Sequence, residues 1–166
     1  VDLGCGEGFL TLEVARWAAH VIAVDRSAPV LERARDLAAR RRIANVEWRL
    51  GEIEQPPIEP GAADIALLSQ ALHHAEDPLQ ALRAATRVVH VQGRVLVLDL
   101  LAHREEWTRE RLGDRWLGFE PDALTRMMSD AGLVDVQVGP DDDAAVSPFG
   151  VLTAIGTKPA TRARRK

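Results

Sequence analysis

Short apolar runs alternate with helical patterns along this chain, and that alternation constrains its fold more than any other feature. Compact β-rich stretches stand at VDL (1–3), VIAVD (21–25), VEWRL (46–50), ADIALLS (63–69) and RVLVLDL (94–100). Between them lie LTLEVARWAA (10–19), SAPVLERARDLAARRR (27–42) and PLQALRAATRVV (78–89). The first of these places Leu10, Val14, Trp17 and Ala18 at helical spacing. The second opens on Ser27 as an N-cap, has Pro29 in its first turn, and sets Val30, Leu31, Ala34, Leu37 and Ala38 on one face. Strands joined through helices run parallel, with both faces of their sheet covered. Gln92 and Gly93 are expected to turn the third helix into the fifth strand. Beyond it, 104–116 reads as a polar helix, and 121–132 as a short one with Pro121 at its start and Gly132 at its end. The last two strands, 134–138 and 149–156, have only an acidic loop between them, so they pair antiparallel. The expected architecture is a doubly wound α/β sheet, mostly parallel, with a C-terminal antiparallel strand.

With 166 residues, 46% of them apolar, the chain can build one globular core. No apolar run approaches the roughly 20 residues that cross a bilayer. A net charge of −4 gives no general attraction to nucleic acid or membrane. Cys5 is the only cysteine, which excludes a disulfide framework and a cysteine metal cluster and points to a cytoplasmic setting. Val1 reads as the middle of a strand with no methionine before it, so an N-terminal truncation is expected. One domain is expected over 1–159, followed by a basic, frayed tail at 160–166.

The first strand runs into DLGCGEGF, residues 2–9. In a doubly wound sheet, ligands bind at the carboxyl ends of the strands, where the strand order reverses. Glycines after the first strand let a ligand approach bare backbone, and the next helix opens with free N–H groups. The spacing discriminates between ligands. A dinucleotide fingerprint reads G-x-G-x-x-G, whereas here Gly4, Gly6 and Gly8 read G-x-G-x-G, with Phe9 where the third glycine belongs. A nicotinamide-dependent oxidoreductase is disfavoured on that ground. Asp25 ends the second strand and can accept both hydroxyls of an adenosine ribose.

DLGCGEG resembles motif I of the class I S-adenosylmethionine (SAM)-dependent methyltransferases, which have a Rossmann-like fold. GEI (51–53) resembles a further element of that class, and LLSQALHHAEDPLQAL (67–82) with RVVHVQGRVLVLDL (87–100) is similar to the ubiquinone/menaquinone-type members. Relatives carry Pro-Gly-Gly before the fifth strand; this chain has Val91, Gln92 and Gly93. The resemblance implies SAM as cofactor, held by Asp2, Gly4, Cys5, Gly6, Gly8, Asp25, Arg26, Glu52, Ile53, Ser69 and Gln70. Glu52 stands where an aspartate commonly meets the adenine amine. A narrower likeness, through ARRRIANVEW, LLSQALHH, RERLGDRWLGF and the basic end, is to methyltransferase domains fused to ArsR-type winged-helix regulators. Contact with nucleic acid is expected only through such an absent N-terminal module.

A SAM enzyme needs alignment of an acceptor with the methyl group, and in some cases a base. His73 and His74, beside the expected cleft, are the candidate catalytic residues. No metal site is expected, because His103 is the only evident third ligand, with Asp99 near it at the sheet edge. Trp107, Trp116 and Phe119 either line an acceptor pocket or pack in the core. Methyltransferases acting on arsenite use several cysteines, so a lone Cys5 disfavours that acceptor. Two readings remain. One is methyl transfer to carbon or oxygen of a small organic acceptor. The other is a non-catalytic module that senses SAM or S-adenosylhomocysteine for a transcriptional regulator.

Overall fold

The computed structural model describes residues 1–140 and 149–160. The acidic loop expected around 139–148 falls mostly outside them, and the basic tail does so apart from Ala160. Seven strands form one sheet in the order β3-β2-β1-β4-β5-β7-β6. They are β1 (Asp2–Leu3), β2 (Val21–Asp25), β3 (Val46–Leu50), β4 (Ala63–Ser69), β5 (Val89–Leu100), β6 (Val134–Pro140) and β7 (Val151–Thr157). The first five run parallel, and β7 lies antiparallel between β5 and β6. The expected fold class stands. The chain steps outward from β1 to β3, then returns so that β4 pairs with the other side of β1. That reversal opens a crevice at the carboxyl ends of β1 and β4.

The helices are α1 (Phe9–Val14), α2 (Ala28–Arg41), α3 (Pro78–Val88), α4 (Trp107–Arg111) and α5 (Pro121–Asp130). Pro78 begins α3, and the Asp77 side chain caps it by accepting from the Gln80 N–H. Ala81, Leu82, Ala85 and Val88, at helical spacing, bury against Leu68, Val95 and Val97 of the sheet. On the same face Leu124 and Met128 of α5 complete the core.

Three elements differ from the sequence expectation. Helix α1 stops after six residues, so Trp17 falls beyond it and stands 92% exposed. The polar helix expected over 104–116 shrinks to 107–111, and Gly113 follows in the left-handed region. Gln92 and Gly93 do not turn a helix into a strand, because α3 has already ended at Val88 and the strand is continuous from Val89. Gln92, at φ +68°, makes an irregularity inside β5, where the pairing with β4 jumps from Ala63–Val89 to Ile65–Arg94. Ser27 does occupy the N-cap of α2, but its side chain makes no capping bond.

Candidate functional site

The loop after β1 is anchored to β2. The Gly4 and Cys5 N–H groups both donate to the Val24 carbonyl, at 2.8 and 2.9 Å. Gly4 sits at φ +78°, and a Cβ there would meet the Ala71 Cβ at 2.6 Å, so the loop packs against the chain after β4. Gly6, at φ +52°, has nothing within 4 Å of where its Cβ would stand. One glycine closes the loop onto the fold, and the next leaves the backbone bare. Gly6 donates its N–H to Asp25 Oδ2 (2.9 Å), and Asp25 Oδ1 accepts from the Ser27 N–H (2.9 Å). The carboxylate at the tip of β2 is thereby locked, with lone pairs left over.

A cleft of about 880 Å³ opens above this loop, within the range of small-molecule sites. Its walls include Gly4, Gly6, Asp25, Arg26, Glu52, Ile53 and Gln70 of the residues expected to hold the cofactor. Gln70 is held at φ +51° and donates its N–H to the Leu98 carbonyl. The remaining members do not line it. Asp2 is buried beneath the loop, where its Oδ2 accepts from Thr11 Oγ1 at 2.5 Å and ties α1 to β1. Burial pushes its carboxyl up to about 6, against the opposing pull of the Thr11 hydroxyl. Cys5 is partly buried, and that burial, with Asp2 and Asp25 nearby, raises its thiol far above the ordinary range. Gly8 packs against Trp48, and Ser69 ends β4 in register with Leu98.

The histidine pair divides. A 3₁₀ turn, Leu72–His74, follows β4. Asp99 at the end of β5 is fully buried, and its Oδ2 accepts from the Leu72 N–H at 2.9 Å while its Oδ1 stands 2.7 Å from His73 Nδ1. His73 is 4% exposed and does not line the cleft. Its carbonyl accepts from the Arg115 and Trp116 N–H groups, so it joins this turn to the segment after α4. His74 does line the cleft, with Nδ1 3.2 Å from the Gly113 carbonyl. Burial and the adjacent His73 hold its imidazole below the usual range. Leu112 and Gly113 complete this end of the cleft; they lie in the segment 105–121, where relatives build their substrate wall, but the sequence singles out neither, because 104–116 reads as one polar helix.

The aromatic residues divide: Phe119 is buried in the core, whereas Trp107 and Trp116 are 44% and 43% exposed. Trp116 stacks near buried Phe119 (6.3 Å, 25°) and donates Nε1–H to the Ala75 carbonyl, while Trp107 lies near Phe149; none of the three lines the cleft. Arg109 and Arg115 pair with Glu106 and Glu76, both exposed. His103 lies against Phe149 with the rings tilted by 48° and is not in the cluster with His73 and His74.

Residues 1–97 match the model of a family described as "Methyltransferase domain". A Streptomyces fradiae protein, an uncharacterized 37.1 kDa protein in transposon TN4556, is 38% identical over 103 residues, covering 58% of this chain and 28% of the relative. An arsenite methyltransferase of Halobacterium salinarum is 27% identical over 160 residues, 87% of this chain and 39% of the relative. The chain thus spans well under half the length of these curated relatives. The crystal structure of a putative methyltransferase of Bacillus halodurans superposes with a TM-score of 0.81 at 17% identity, covering 96% of this chain and 91% of that one. Fold, cleft and family match agree. The chain belongs to the methyltransferase domain family, within the class I SAM-dependent methyltransferases.

SAM is the cofactor of this class, and the residues present fit it. Gly6 offers uncovered backbone, and Asp25 keeps acceptor capacity beyond its two backbone bonds. Among the described residues no helix is long and apolar enough to cross a membrane.

Proposed function

We propose that this chain binds SAM along the carboxyl ends of β1 to β4 and methylates a small organic acceptor at carbon or oxygen. One observation carries the reading: the cleft continues from the cofactor residues to an end walled by His74, Leu112 and Gly113. A site that only sensed the cofactor would have no use for that extension. Bound SAM supplies a methyl group already activated on a sulfonium. The chain's part is then to hold and align. Gly4 and Gly6 receive the methionine portion, Asp25 accepts from the ribose hydroxyls, and Glu52 and Ile53 take the adenine. Arg26 and Gln70 border the same cavity, and Asp2 supports the loop from below. His74 faces the acceptor; His73 positions it through Asp99 and the Arg115–Trp116 backbone.

Arsenite, the acceptor in the name of the Halobacterium relative, suits this chain poorly. Its only thiol, Cys5, lies in the cofactor loop and is held protonated by burial.

The test is calorimetric titration with S-adenosylhomocysteine, with NADH as control, followed by turnover of SAM over a panel of hydroxyl and carbon-acid acceptors. Binding of S-adenosylhomocysteine alone, followed by methylated product, is the expected result. Binding of NADH, or of neither compound, overturns the cofactor assignment. Tight binding with no product across the panel overturns the enzyme reading in favour of a sensing module.

A further inference from the structure

His73, His74 and Asp114 come from two segments, the 3₁₀ turn after β4 and the chain after α4, and bring three ligand atoms within 4.8 Å of one another. Asp114 Oδ1 stands 3.7 Å from His73 Nε2 and 3.9 Å from His74 Nδ1. Donors around a tetrahedral zinc, at bonds of about 2.0–2.1 Å, lie roughly 3.3–3.4 Å apart. These two distances are a few tenths of an ångström wider, and all three ligand atoms lie within 4.8 Å of one another, so the set must contract to hold the ion.

Two further observations mark the place as more than a chance gathering. Asp114 is 4% exposed; its Oδ1 faces the two histidines, while its Oδ2 has no hydrogen-bond partner, so a cation held by both oxygens would serve the carboxylate. A buried carboxylate oxygen left unpaired is costly and calls for a missing positive or donating group. His73 meanwhile has its far nitrogen engaged with Asp99 (2.7 Å). The other ring nitrogen, Nε2, faces the Asp114 carboxylate. At 3.7 Å the two atoms are too far apart for a direct hydrogen bond, which leaves room for a cation between them. A carboxylate oriented behind a histidine in this way is the arrangement that fixes the ring of a metal ligand.

We propose that His73 Nε2, His74 Nδ1 and Asp114 bind one divalent transition cation, zinc foremost, at the wall of the cleft. Imidazole and carboxylate donors suit zinc, cobalt and iron(II) rather than calcium or magnesium. His74 leaves the Gly113 carbonyl to complete the set. His74 and Gly113 border the cleft while His73 and Asp114 lie behind that wall, so an open coordination position on the His74 side would take water or an oxygen of the acceptor. The matching acceptor class is an organic molecule with a hydroxyl or carboxylate; this last clause alone rests on the methyltransferase reading. Spacing along the chain points to His103 as third ligand, and the fold supplies Asp114 instead.

The experiment is titration of the metal-free chain with cobalt(II), read by visible absorption, with zinc as competitor. One equivalent is expected, displaced by zinc. Asp114→Asn and His74→Ala weaken it by about tenfold or more. His90→Ala, at the opposite end of β5 in an exposed pair with Asp64, leaves it unchanged. His74 is half-exposed, so its variant reports even where Asp114→Asn fails to fold. Absence of a cobalt band, or a band that His74→Ala retains, overturns the proposal. S-adenosylhomocysteine titration of the same samples reports separately on the cofactor site, so the two readings fail independently.

Discussion

In the proposed function Asp25 does two jobs with one carboxylate. Each oxygen already accepts a backbone N–H, from Gly6 or from Ser27, so the side chain sets the loop's shape before any ligand arrives. The same oxygens keep lone pairs, which the proposed function gives to ribose hydroxyls. Asp25→Ala is expected to weaken S-adenosylhomocysteine binding by about 1–3 kcal/mol, the scale of hydrogen bonds to a charged group. Asp25→Asn separates the two jobs. It still accepts through its carbonyl oxygen but must present an amide to one of the two N–H groups. An affinity loss at least as large as that of the alanine variant is expected from calorimetry. Wild-type affinity in both variants would remove Asp25 from the cofactor site.

At the scale of elements, the loop between β1 and α1 offers a contrast between neighbours. Gly4 needs its missing Cβ to clear Ala71, whereas Gly6 has open space there. Gly4→Ala therefore meets both a clash and a left-handed backbone, and a lowered melting temperature is expected. Gly6→Ala meets only the conformational cost, roughly 1–2 kcal/mol, and its methyl group stands in the cleft. It should fold, with the larger loss appearing in cofactor affinity. Equal melting temperatures for the two variants would contradict this division. The glycine spacing and Asp25 were legible in the sequence because both act through a local turn at the end of a strand. The boundaries of α1 and α4 were not. Trp17 continues a helical pattern that the chain abandons after Val14, and Gly113 ends α4 early, within a charged run with no periodicity to betray it. Gln92 looked like part of a turn because its place in β5 depends on pairing with β4, which is a tertiary fact. The meeting of His73, Asp99 and Asp114 depends on three separate segments, so no local pattern signals it.

Across the whole molecule, Asp2 links the site to global stability. It lies at the centre of the sheet, between β2 and β4, and the Thr11 hydroxyl donates to its side chain. Burial raises its carboxyl from 3.8 to about 6, with the Thr11 hydroxyl and the amino terminus opposing the rise and Asp25 adding to it. The folded protein therefore holds this proton more tightly than the unfolded chain does. Between about pH 4 and 6 the native state binds more protons, so this contribution to stability falls as pH rises and is flat above about 6. A tenfold difference in proton affinity is worth about 1.4 kcal/mol, so the loss is on the order of 2–3 kcal/mol. Asp2→Asn keeps an oxygen for the Thr11 hydroxyl and removes the charge. Urea unfolding of this chain from about pH 4 to 7 should show the wild type losing stability relative to Asp2→Asn as pH rises, with the difference levelling off by neutral pH. A difference that does not vary with pH would mean that Asp2 titrates in the ordinary carboxylate range and that the loop above it carries no such cost. The expected slope would mean that the fold tolerates a buried charge under the cofactor loop, in the position from which it holds Thr11 and the start of α1.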